Sequence, residues 1–91
     1  MTTTHRTSST DVDAPADVAV RVAVLYARVL RLDEVGDTDD FFALGGDSLA
    51  AVDLLEAVQE EFGIEVPARR FYRATAVCEL ADVVRAMRTG N

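Results

Sequence analysis

The chain has 91 residues, 49% hydrophobic and 27% charged, the composition of one small globular domain. A chain of this size buries only a modest core, since even a domain of about 60 residues hides just ~60% of its unfolded surface. Work at the surface is therefore expected rather than a deep, water-excluded active site. The net charge is −7, with 16 acids against 9 bases, all of them arginine. Nucleic acid and an anionic membrane surface would both repel such a chain.

Residues 1–13 are rich in Thr, Ser and Asp with almost nothing to bury, and are expected to form a disordered tail ahead of a single domain over 14–89. The tail has no apolar core of a signal peptide, and no apolar run long enough for a membrane span appears anywhere. A single cysteine, Cys78, precludes an internal disulfide. These features predict a cytoplasmic protein.

Pro15, with Asp13 and Asp17 around it, marks a helix start, because proline is tolerated in the first turn and acids there oppose the positive end of the dipole. Val18, Val22, Leu25, Val29 and Leu32 follow at offsets of 4, 7, 11 and 14, predicting a first helix over roughly 15–31. Residues 33–47 then hold Gly36, Gly45, Gly46 and six acids without periodicity. This reads as a long loop pinned by Phe41, Phe42 and Leu44. Loops of this length are uncommon and often functional.

A second helix is predicted from Ser48 to Phe62, stopped by Gly63 in the left-handed position after its last turn. Ala51, Leu54, Leu55, Val58 and Phe62 form its core stripe. Leu49, Val52, Asp53, Glu56 and Glu60 repeat the same spacing on nearly the opposite side. Acids interrupted by two apolar side chains suit a face that binds partners; the alternative is that Leu49 and Val52 tuck into the edge of the bundle. After "GIEVP", a short third helix is expected at about 68–73, with Phe71 and Tyr72 turned inward. Thr75 is the expected N-cap of the last helix, with Val77, Leu80, Val84 and Met87 as its buried stripe. No alternating strand pattern occurs, so the expected class is all-α, with three longer helices and one short one.

Three readings compete for Ser48. The string "GDSL" occurs in serine esterases, but a nucleophilic serine needs a base, and the only histidine is His5 in the tail. The nucleophile-elbow pattern also fails, because Ala50 stands where its last glycine belongs. A second reading is a plain helix cap, with Ala51 in the place where a capping box wants Glu or Gln. A third is covalent attachment. A phosphate ester on a serine at a helix N-terminus lies near unpaired N–H groups and the positive end of the dipole, and Gly45 and Gly46 would clear the approach of another enzyme.

The stretch "DDFFALGGDSLAAVDLLEAVQEEFGIEVP" resembles the core motif of peptidyl carrier proteins, the thiolation domains of non-ribosomal peptide synthesis within the acyl carrier protein superfamily. Aromatic anchor, paired Gly45 and Gly46, Asp47 and Ser48 occur in order, and the likeness covers roughly residues 15–88. The resemblance implies a four-helix bundle of acyl-carrier type whose Ser48 receives 4'-phosphopantetheine from coenzyme A. A phosphopantetheinyl transferase would supply the catalytic base and Mg²⁺, so the carrier is not an enzyme and holds no catalytic residue or metal of its own. An adenylating enzyme would load an aminoacyl or acyl group onto the arm as a thioester, for downstream condensing, tailoring or acyl-transfer enzymes of a natural-product pathway.

By position, Leu49 and Val52 would give partners an apolar contact, and Asp53, Glu56 and Glu60 a polar rim. Gly46 with Asp47 favours the peptidyl type, while the acid-rich second helix is also a feature of polyketide and fatty-acid carriers. Start at Met1 and end just after the last helix fit a free-standing monomer. An unmodified helical adaptor for basic partners is the reading from a different class. Cys78 is expected to be an inert packing residue. Arg69, Arg70 and Arg73, the one basic cluster, either bridge to acids of the loop and second helix or contact a partner or the arm's phosphate.

Overall fold

The computed structural model describes residues 15–89, with the side chains of 15–17 and Thr89 left aside. The expected tail over 1–13 and His5 lie outside the described residues, as does Gly90. Four helices follow in order: α1 (Pro15–Leu30), α2 (Ser48–Phe62), α3 (Ala68–Tyr72) and α4 (Val77–Thr89). α1 packs against both α4 and α2, and the short α3 leans on α2. Among the described residues no strand forms, only an isolated bridge between Asp40 and Ala76, and no helix is long and apolar enough to cross a membrane. The architecture is the expected all-α four-helix bundle, three longer helices and a short one.

Each long helix buries the stripe that its spacing demands. Val18, Val22 and Leu25 of α1, Ala51, Leu54 and Val58 of α2, and Val77, Leu80, Ala81 and Val84 of α4 meet in one core. Phe71 closes it from α3. α1 ends one residue earlier than its pattern suggests. Arg31 takes the left-handed conformation (φ 60°), and the Leu32 N–H reaches back to the Ala27 carbonyl (2.9 Å), as in a Schellman stop. Leu32 therefore leaves the helical stripe and is exposed. α2 runs over its predicted span, and Gly63 adopts φ 73° while its N–H bonds the Gln59 carbonyl.

Three expectations change. Tyr26, outside the predicted stripe, is fully buried, and its hydroxyl donates to the Thr75 carbonyl (2.7 Å). Burial first, then the charge of Asp40, pushes this phenol well above its ordinary range, so it stays a neutral donor. Tyr72 does not face inward: it is half-exposed, its ring stacked on Phe42 at 5.8 Å. Thr75 does not cap α4. Its hydroxyl donates to the Asp40 carboxylate instead, and the flanking Ala76 N–H is taken by Glu79 (3.1 Å). At the far end of the bundle the Arg21 guanidinium lies 4.7 Å from the Phe62 ring centre and pairs with Glu61 (2.8 Å).

Candidate functional site

The segment before Ser48 is long in sequence yet tied down at almost every step. Val77 and Cys78, in the first turn of α4, donate their N–H groups to the carbonyls of Asp39 (3.1 Å) and Asp37 (2.8 Å). The loop thus satisfies amides that a helix start leaves without partners. Phe41 N–H donates to the Thr75 carbonyl (3.0 Å), giving the bridge noted above. Asp40 is the knot. One carboxylate oxygen accepts from Phe42 and Ala43 N–H groups (3.0 Å each), and the other accepts from Thr75. The Thr75 bond first, then the backbone bonds, hold this carboxyl below its ordinary range. Its contribution to stability is therefore complete above the unfolded carboxylate pKa, about 3.9. That contribution is lost as pH falls through the lower folded value.

Phe41 is the pin. Its side chain is fully buried, edge-on to Tyr26 (5.2 Å), Phe42 (5.4 Å) and Phe71 (5.5 Å). Phe42 is only partly buried and passes on to Tyr72, while Leu44 packs against the core rim.

The two glycines do different jobs within the fold. Gly45 has φ 107°, a conformation closed to ordinary side chains, with open space around it. Gly46 is pressed against Phe41: a Cβ there would stand 2.4 Å from the ring and 2.9 Å from the Phe41 carbonyl oxygen. Its own N–H bonds that carbonyl (3.0 Å). Gly46 lets the chain pass over the pin and turn into α2.

Asp47, not Ser48, caps α2. Its carboxylate accepts from the Ala50 N–H (2.9 Å) and its carbonyl from the Ala51 N–H (2.9 Å). Ser48, the first residue of the helix, is exposed, and among the described residues its hydroxyl has no hydrogen-bond partner. The Ser48 and Leu49 N–H groups likewise have no acceptor among the described residues. A hydroxyl with no structural duty sits beside two free donors at the positive end of a 15-residue helix. That donor set fits a phosphate ester.

The far side of α2 stays open. Leu49 is 77% exposed and Val52 53%, so neither tucks into the bundle, and Asp53, Glu56 and Glu60 are exposed beside them. Cys78, expected to pack, is also exposed, because it sits at the edge of the α4 stripe where the loop crosses. Arg69, Arg70 and Arg73 are exposed and make no ion pair among the described residues, so the expected bridges to the loop or α2 do not form.

Residues 20–84 match the family described as the phosphopantetheine attachment site. The chain belongs to this carrier family. Over 84 residues, 91% of its length, it is 36% identical to tyrocidine synthase 3 of Brevibacillus parabrevis, while spanning only 1% of that protein. Among solved structures it resembles BlmI, a type-II acyl carrier protein of Streptomyces verticillus involved in bleomycin biosynthesis. The TM-score is 0.79 at 30% identity, over 92% of this chain and 98% of that one. It also resembles a structure described as the phosphopantetheine transferase Sfp in complex with coenzyme A and a peptidyl carrier protein, with TM-score 0.73 and 29% identity over 76% of this chain and 90% of that one. The family's cofactor is phosphopantetheine, and the donor set around Ser48 fits the phosphate ester that such a group would form.

Proposed function

We propose that Ser48 is the residue esterified by 4'-phosphopantetheine, and that the protein is a peptidyl carrier serving a natural-product pathway. The observation that carries the reading is the idle Ser48 hydroxyl at a helix N-terminus whose cap is already supplied by Asp47. In the transfer, Ser48 Oγ forms a bond to the phosphorus that bears the pantetheine arm of coenzyme A. The pyrophosphate P–O bond breaks, 3',5'-adenosine bisphosphate leaves, and the serine proton passes to the transferase. The Ser48 and Leu49 N–H groups favour the resulting negative charge. Once attached, the arm supplies a terminal thiol that holds an aminoacyl or acyl group as a thioester.

The carrier itself performs no catalysis. It presents its cargo to an adenylating enzyme and then to condensing, tailoring or acyl-transfer enzymes, at the high effective concentration that tethering gives. Leu49 and Val52 offer each visitor an apolar contact and Asp53, Glu56 and Glu60 a charged rim; small interfaces of this kind suit brief visits. The reading places a monomer in the cytoplasm, where coenzyme A and ATP are supplied.

Incubation with coenzyme A and a broad-specificity phosphopantetheinyl transferase, followed by intact-protein mass spectrometry, tests the attachment. The expected result is one phosphopantetheinyl adduct, absent from Ser48→Ala. An adduct that persists in Ser48→Ala, or none on the native chain, would refute it.

A further inference from the structure

The carrier reading uses α2 and leaves α3 without a task, yet α3 carries the sharpest charge contrast in the molecule. Eleven acids and no base lie between Asp33 and Glu65; three of the nine arginines then fall within five positions, at 69, 70 and 73. All three are exposed and line one open concavity. Arg21 and Arg85 pair with carboxylates within the chain, whereas these three pair with none among the described residues, although Glu65 lies only four positions before Arg69.

Nothing among the described residues requires the cluster. Arg69 and Arg73 stand at i, i+4, where like charges repel, and a five-residue helix offers little dipole to offset them. The core role of α3 belongs to Phe71 alone.

The cluster is also tied to the serine. Tyr72, between the arginines, stacks on Phe42 at the foot of the loop that enters α2. A second groove, lined in part by Val52, Glu56, Glu65 and Ala68, runs from the open face of α2 to the start of α3. A partner seated on α2 would therefore reach α3 as well.

We propose that Arg69, Arg70 and Arg73 form a second docking element that reads carboxylates on the adenylating enzyme. The complementary surface of that enzyme is bipolar, basic opposite Asp53, Glu56 and Glu60 and acidic opposite α3. A polyanion is the poorer occupant, because the same approach would bring it against the acids of α2 and a chain of net charge −7. A two-signed footprint also fixes orientation and rejects enzymes that are basic throughout, since juxtaposed like charges are costly.

The proposal rests on the carrier reading, and the experiment separates the two. The native chain, the triple variant Arg69→Glu, Arg70→Glu, Arg73→Glu and the triple Gln variant are first converted to the holo form and checked by mass spectrometry and circular dichroism. Adduct formation and native helicity in all three are expected; failure of the native chain to take the adduct would refute the carrier reading itself. Each holo protein is then titrated as substrate of the adenylating enzyme that loads the native chain. The Glu variant should raise KM at least tenfold with kcat within twofold, and the Gln variant should raise KM by a smaller factor. Replacing acids by Lys on the enzyme's docking surface should restore the Glu variant. An unchanged KM would overturn the proposal, and a lowered KM would show that the enzyme presents bases, not carboxylates, to α3.

Discussion

The two sides of Ser48 are built on opposite rules. Upstream, from Asp37 to Asp47, the chain is tied into the fold at several points: to α4 through Asp37 and Asp39, to Thr75 through Asp40, to Phe41 through Gly46. Downstream, Leu49, Val52, Asp53, Glu56 and Glu60 face outward with no commitments among the described residues. A residue that must be found by another enzyme benefits from a fixed mount. A surface that must fit several visitors benefits from side chains that the fold does not need. On the proposed function, stability and recognition are thus separated to a large extent along the chain, with Ser48 at the boundary.

Substitutions can break that separation or sharpen it. Phe41→Ala removes the pin from a fully buried, three-ring contact and should cost about 4 kcal/mol in urea unfolding, enough to unfold much of the population. Gly46→Ala forces a methyl group into the Phe41 ring and should cost about 2 kcal/mol, with slower phosphopantetheinylation because the entry to α2 shifts. A wild-type midpoint for Gly46→Ala would mean the close contact relaxes freely and the mount is softer than described. Asp47→Ala should cost about 1 kcal/mol as the cap is lost, whereas Ser48→Ala should leave the unfolding midpoint in place. Equal losses would put structural duty back on the serine. The smallest stability change, within about 0.5 kcal/mol, is expected for the pair Glu56→Lys and Glu60→Lys, which should nonetheless slow loading by the adenylating enzyme. Unaltered loading would move recognition away from this face.

The sequence shows most of the frame and little of the joinery. The α2 boundaries were legible because the serine after two glycines, the apolar spacing and Gly63 are all local signals. So was the role of Phe41 as anchor, since an aromatic residue in an acidic loop has few other uses. The shares of Gly45 and Gly46 were not legible, because a left-handed φ and a contact with a ring five positions away look the same in the sequence. Thr75 looks like a cap in the sequence because its partner, Asp40, lies 35 positions earlier. Tyr26 escaped the stripe for a related reason: only the arrival of Thr75 and Phe41 from elsewhere gives its hydroxyl a bond and its ring a neighbour. The cap at Asp47 did carry a local signal, an acid three positions before the Ala50 amide, but the neighbouring serine competed for the same role.

That cap has a consequence for how the carrier's state is read. Because Asp47 supplies the cap of α2, the Ser48 oxygen can be free or esterified without the bundle losing a bond that the described residues make. On the proposed function the protein body is therefore indifferent to what it carries. The cap gives a visiting enzyme no sign of whether the arm is absent, empty or charged. Direction in the pathway has to come from the far end of the tether, where each enzyme inspects the cargo itself.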